Sequence, residues 1–206
     1  MKGKLIIFEG GEGSGKTSQI KILANKLRKL GKKVIVTHEP GGTIIANKIR
    51  QVILHEKKES LTNKAELFLF LASRAQHVEK LLIPALKKGY IILCDRFTGS
   101  TLAYQIGARK LPNEKLIINM DRYAKNDLPE DITIYIDVDP YLGIKRKKDT
   151  LNKLTRIDQE KIKFHQQVRK YFQKLARQKN WVTINGNLTL KKNAQEIYEI
   201  ISKKIK

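Results

Sequence analysis

The sequence predicts an α/β fold in three layers, a five-stranded parallel sheet flanked by helices. Three observations predict it. Five short apolar runs, at residues 5–8 (LIIF), 34–36 (VIV), 90–94 (YIILC), 132–138 (ITIYIDV) and 181–184 (WVTI), have the length and composition of buried strands. Segments with apolar residues at helical spacing lie between them, and strand–helix–strand succession implies a parallel sheet. The first run feeds a glycine-rich turn with an amphipathic segment behind it. At 206 residues the chain reads as one domain, 1–206, able to bury about 70% of its unfolded surface without disulfide or metal staples.

That turn carries chemistry. Gly10, Gly11, Glu12, Gly13, Ser14, Gly15, Lys16 and Thr17 fit the spacing G-x-x-x-x-G-K-[ST]. Its glycines let the backbone curl until successive N–H groups face a phosphate with no Cβ in the way. The helix starting near Lys16 adds its N-terminal partial charge. Lys16 can reach the β- and γ-phosphates, and the Thr17 hydroxyl can help position Mg²⁺. A glycine-rich loop also serves as a plain strand-to-helix turn. The strand before it and the helix after it favour phosphate, and with it a P-loop NTPase fold.

Further along, Ile20, Leu23, Ala24, Leu27 and Leu30 form one helical face, closed by Gly31. The second strand runs into His38, Glu39, Pro40, Gly41, Gly42 and Thr43, a turn by composition. Loops beyond the carboxyl ends of parallel strands bind ligands, so Glu39 and, on the next helix, Arg50 are candidates. In that helix Ile49, Val52 and Ile53 are expected to face inward. Residues 64–82 read as a helix ended by Pro84, apolar all round at 67–71 and therefore well buried. Phe70 and Arg74 share one face of it. A ring beside a guanidinium suits a base, but spacing alone favours a core Phe70 and a surface ion-pair Arg74.

Asp95 and Arg96 follow the third strand, a place for a Mg²⁺-associated carboxylate and a phosphate-binding fork. Ser100, Tyr104 and Gln105 fall in a helical pattern, residues 112–131 offer one helix, and Pro140 stops the fourth strand. Charge is densest at Lys145, Arg146, Lys147, Lys148, Lys153 and Arg156. Such a run is a solvated helix face or, in a phosphoryl-transfer enzyme, a lid at about 143–158. A last amphipathic helix carries Ala194, Ile197, Ile200 and Ile201.

The formal net charge is +22, which raises nucleic-acid binding as a possibility. Its lysines are instead spread along helical faces, as at Lys26, Lys29, Lys32 and Lys33 or Lys191 and Lys192, without interleaved aromatics. A solvated surface acting on small anionic substrates fits better, with neither nucleic acid nor membrane as partner. A single cysteine, Cys94, and the absence of an apolar leader or of a run near the ~20 residues of a membrane span lead to the expectation of a soluble cytoplasmic protein.

Glu39-Pro40-Gly41-Gly42-Thr43, Phe70 with Arg74-Ala75-Gln76-His77, and Asp95-Arg96-Phe97-Thr98-Gly99-Ser100-Thr101-Leu102-Ala103-Tyr104-Gln105 together resemble the thymidylate kinases, and the resemblance runs from residue 4 to about 201. It implies a basic lid, ATP as phosphoryl donor, Mg²⁺, dTMP as acceptor and a homodimer. Residues 10–17 would hold ATP, with Glu12 near the acceptor sugar and the metal, alongside Thr17 and Asp95. Phe70 would stack on thymine and Arg74 would bond its carbonyl edge, with Glu39 and Pro40 beside them. Arg96 and Arg50 would hold the acceptor phosphate. Ser100 or Thr101 would lie near the base, Tyr104 would crowd the 2′ position, and Gln105 would also belong to the dTMP site.

Lys16, Glu12 and Arg96 would be catalytic, with a lid arginine, Arg146 or Arg156, as in the bacterial subtype. This chain departs from the family pattern at His38, where Arg is frequent, and at Thr155, where Asp precedes the lid arginine. The chemistry agrees. A nucleoside monophosphate is largely ionised at neutral pH, its second pKa being about 6, so no protein base is required. The residues need only neutralise and align two polyanions.

Overall fold

The computed structural model describes residues 3–56, 58–150 and 154–205. Five strands among them, β1 (Lys4–Glu9), β2 (Val34–His38), β3 (Ile91–Asp95), β4 (Ile132–Asp137) and β5 (Val182–Asn185), form one parallel sheet in the order β2-β3-β1-β4-β5. Each matches a predicted run to within a few residues. The helices are α1 (Lys16–Lys29), α2 (Ile44–His55), α3 (Asn63–His77), α4 (Ile83–Lys87), α5 (Thr98–Thr101), α6 (Glu114–Ala124), α7 (Pro140–Thr150), α8 (Ile162–Gln178) and α9 (Leu190–Lys204).

Alternation along β1 makes the three layers. Ile6 and Phe8 point to one face and pack with Leu23 and Leu27 of α1 and Ile197 and Ile201 of α9. Leu5 and Ile7 point to the other, against Val78, Leu82 and Leu86. Tyr135 of β4 extends that second face under α8, where Val168 and Phe172 meet Tyr104. Phe172 stacks on Tyr135 with centroids 5.5 Å apart and meets Tyr104 edge-on at 6.3 Å.

Local chemistry sets the element ends. Gly31, at φ 74°, lets its own N–H bond the Arg28 carbonyl while Lys32 N–H bonds that of Leu27, closing α1 as its sequence predicts. Thr43, Thr62 and Thr189 cap α2, α3 and α9 through their hydroxyls.

Four expectations change. Pro84 does not end the helix: α3 passes through a π-helical turn, Val78–Leu82, into α4, with Ile83 N–H bonded to the Val78 carbonyl. Pro84 then falls in the first turn of α4, where its missing donor is harmless. Pro140 likewise opens α7 rather than merely stopping β4. Val52 and Phe68 are exposed, at 43% and 58%, because the buried faces of α2 and α3 carry Ile53 and Leu54, and Leu67 and Leu71. Lys153 of the basic run lies outside the described residues.

Helix α8 was not predicted from the sequence, although Phe164, Val168, Phe172 and Leu175 form its buried face. Among the described residues no helix is long and apolar enough to cross a membrane.

Candidate active site

In the strand order the chain leaves β1 toward β2 on one side and leaves β3 toward β4 on the other, so the connections reverse between β1 and β3 and open a crevice beyond the carboxyl ends of these strands. The loop from β1 into α1 lies there. Gly10, Gly13 and Gly15 take φ of 151°, 62° and 92°, values that side chains rarely tolerate. The loop borders a cleft of about 750 Å³. Residues from Glu12 to Thr17, Glu39, Pro40, Arg50, Phe70, Asp95, Arg96, Ser100, Thr101, Tyr104, Gln105 and Arg146 line it, as do Lys147, Thr155 and Ile157.

Lys16 is buried and donates to the Gly10 and Gly11 carbonyls, at 3.0 and 2.9 Å, and to Ser14 Oγ at 3.2 Å. Burial, with Arg96 nearby, pushes its pKa down to about 8 against the pull of Asp95 and Glu12. Thr17 Oγ1 donates to Asp95 Oδ2 at 2.6 Å, placing a hydroxyl and a carboxylate together at the cleft wall. These are hard oxygen donors suited to Mg²⁺. Glu12 is turned elsewhere. Its Oε1 accepts from Arg96 Nη2 at 2.8 Å and from the Tyr104 hydroxyl at 2.9 Å, and its Oε2 from Lys147 Nζ at 2.5 Å. Burial would raise its pKa, but Arg96, Lys147 and Lys16 hold the carboxyl well below the usual range.

Arg96 sits at φ 71°, an uncommon conformation for a residue with a side chain. The surroundings enforce it. Its N–H bonds the Phe8 carbonyl at 2.9 Å, and Cys94 Sγ donates to the Arg96 carbonyl at 3.1 Å. Glu9 then holds the following turn, accepting from the N–H groups of Phe97 and Ser100, each at 2.9 Å, and from Ser100 Oγ at 2.6 Å. Burial raises Glu9 to about 7 despite these bonds. A Cβ on Gly99 would lie 2.8 Å from Glu9 Oε1 and 2.5 Å from the Trp181 ring. Beyond it α5 widens into a π-helical segment, Leu102–Ala108, which carries Tyr104 and Gln105 to the cleft.

Arg74 is not a surface residue. It is 2% exposed beneath the cleft wall, because carboxylates from two other elements converge on it. Its Nε and Nη2 donate to Glu39 Oε2 at 2.8 and 2.6 Å, and its Nη1 to Thr101 Oγ1 at 2.9 Å and to Asp121. Glu39 Oε1 meets His77 Nδ1 at 2.9 Å, and His77 Nε2 meets Thr37 Oγ1 at 2.8 Å. Burial opposes both charges. Even so, Arg74 and His77 keep the Glu39 carboxyl below its ordinary range, and Glu39 with Asp121 keeps Arg74 above its own. Phe70, one turn before Arg74, faces the cleft.

The two arginines of the basic run part company. Arg146 lines the cleft and donates to the Gly186 carbonyl at 2.8 Å. Arg156 is drawn to the buried Glu66, which also binds Gln105 at 2.8 Å and Arg109. Arg50 donates to the Pro40 carbonyl at 2.8 Å. Glu9, Glu66 and Asp121 were missed as site residues, because the partners of each lie far away in sequence and no local spacing marks it; Lys147 was marked only as one of the basic run.

Comparison with known proteins bears on the whole chain. A family model described as thymidylate kinase matches residues 8–197. The thymidylate kinase of Nostoc punctiforme is 42% identical over 204 residues, spanning 98% of this chain and 96% of the relative. That of Bacillus mycoides is 38% identical over 208 residues and spans both chains entirely. That of Protochlamydia amoebophila is 45% identical over 184 residues, or 86% and 81% of the two. With identities near 40% over essentially full length and a family model matching residues 8–197, the chain belongs to the thymidylate kinase family.

Proposed function

We infer that this chain transfers the γ-phosphoryl group of ATP to dTMP, giving dTDP and ADP by direct in-line displacement, in nucleotide biosynthesis. One observation carries the reading: the phosphate loop and the acceptor-side residues line the same cleft, so two polyanions can meet there without leaving the protein. A phosphate oxygen of dTMP forms the new bond to the γ-phosphorus, and the β–γ bridging oxygen leaves with its electron pair on ADP. The acceptor is already ionised, so no group need remove a proton.

The loop amides and Lys16 would bind the ATP phosphates, and Arg96 with Arg50 the acceptor phosphate. Phe70 would stack on thymine, and Tyr104 would crowd the 2′ carbon against ribonucleotides. Arg74 would set the base edge, with Glu39, Ser100, Thr101 and Gln105 around it. Thr17 and Asp95 would hold Mg²⁺, which supplies charge neutralisation at the ATP phosphates when bound. Glu12 would act on the acceptor side, with residues 143–158 as the lid of one kinase domain in the cytoplasm.

A homodimer belongs to the same reading. Ile44, Ile45 and Val52 of α2, Phe68 of α3, and Leu116 and Tyr123 of α6 are exposed large apolar side chains on helices that pack in the order α2, α3, α6. A second copy of this chain would cover them. Light scattering should give twice the 23.7 kDa chain mass, and Phe68→Glu should shift it toward one.

The function is tested by a coupled assay of ADP release with ATP and Mg²⁺, offering dTMP, dUMP, dAMP, dGMP, dCMP, the ribonucleotides and DNA in turn. Turnover with dTMP in preference to the rest is expected. No ADP above background with dTMP, while another acceptor works, would end the reading.

A further inference from the structure

We propose that Lys147 is the lid cation that meets the transferring phosphoryl group, a refinement that rests on reading the cleft as a phosphoryl-transfer site. The placement begins with two glycines. A Cβ on Gly143 of α7 would lie 2.2 Å from the Glu12 carbonyl oxygen, and one on Gly13 would lie 1.8 Å from that of Gly143. The lid helix and the phosphate loop therefore touch backbone to backbone, which only glycines permit. Lys147 is one helical turn beyond Gly143, on the same face. That contact brings its Nζ to 2.5 Å from Glu12 Oε2.

Asp158 holds the other side of the ammonium at 2.5 Å. It is itself buried and fixed, since its second oxygen accepts from Thr155 N–H and Oγ1 at 2.8 and 2.7 Å. A positive charge is thus suspended between the two ends of the lid and the phosphate loop, at the wall of the cleft that Lys16 also lines. The arginines stand differently: Arg156 is bonded to Glu66 and the Ile53 carbonyl, and Arg146 to the Gly186 carbonyl beyond β5.

As the transferring group loosens, negative charge spreads over its equatorial oxygens, and a held ammonium stabilises that charge more than it stabilises bound ATP. The bond made and the bond broken are those of the parent reaction.

The test uses the full chain as wild type, Lys147→Met, Lys147→Arg and Lys148→Met, the last removing the same charge from an exposed neighbour. kcat with dTMP, dissociation constants for ATP and dTMP by calorimetry, and thermal unfolding are measured for each. Lys147→Met should lower kcat about 100-fold. Both dissociation constants should move by less than about threefold, because the loss falls on the transition state. Lys147→Arg should recover most of kcat, and Lys148→Met should match wild type.

If Lys147→Met does not fold, Lys147→Gln, whose amide can still bond both carboxylates, is measured the same way with the same expectation. Three outcomes overturn the proposal: kcat kept within about twofold, an equal loss in Lys148→Met, or a lowered unfolding midpoint with kcat retained, which describes a strut. Failure of wild type to turn over dTMP would instead defeat the functional reading beneath it.

Discussion

The two sides of the cleft are built on opposite principles. The wall read as the donor side is a loop of eight consecutive residues shaped by glycines at positive φ. Its one buried cation, Lys16, leans on carbonyls and carries a depressed pKa. The wall read as the acceptor side is a buried polar network in which Glu39, Arg74, His77 and Asp121 satisfy one another from different elements. One side is pre-formed by local conformation and the other by tertiary ion pairing. Removing a side chain should therefore harm them in different currencies, function on the donor side and stability on the acceptor side.

The largest expected effect tests this directly. Arg74→Ala strands two buried carboxylates, and unfolding free energy should drop by about 3–5 kcal/mol in urea titrations. In whatever protein remains folded, dTMP use should suffer far more than ATP binding. An unchanged midpoint would break the comparison.

On the other side, Lys16→Met should reduce kcat by about 100-fold or more. It should cost only about 1 kcal/mol of stability, since the lost hydrogen bonds are offset by relief of a desolvated charge. A drop in stability like that of Arg74→Ala would erase the distinction.

Phe70→Ala should raise the KM for dTMP about tenfold, or 1.4 kcal/mol, with the KM for ATP unmoved. Equal shifts in both would mean that the ring is simply core.

The smallest effect is a proton. Burial holds Lys16 near pKa 8, below its usual value, and a bound polyanion favours its charged form. ATP affinity should weaken as pH rises through 8, and binding at pH 8.5 should take up roughly three-quarters of a proton. Calorimetry in two buffers of different ionisation heat reads this uptake, and Lys16→Met should abolish it.

Legibility followed the same division. The phosphate loop and all five strands could be read because their signals are contiguous: apolar runs, glycine spacing and a lysine. The burial of Arg74 could not, because Glu39 and Asp121 lie 35 and 47 residues from it and only the folded sheet and α6 bring them in. Its bland reading as a surface residue was the correct inference from spacing and the wrong answer. The π-helical turns were invisible for a related reason, as each is a response to neighbours rather than a local preference.

Helix α8 is a different case. Phe164, Val168, Phe172 and Leu175 repeat every three or four residues, so the signal was present among the lysines, arginines and glutamines that surround them.

Cys94 has a practical consequence. It is the only cysteine in the chain, fully buried in β3, with its thiol bonded to the Arg96 carbonyl. Burial, together with the charges of Glu39 and Asp95, pushes its pKa well above normal, so almost no thiolate is present to react. The protein is thus silent toward maleimide dyes without any mutation. A cysteine introduced at the exposed Lys148 would be the sole labelling site, and its fluorescence would report the surroundings of α7 in an otherwise native molecule.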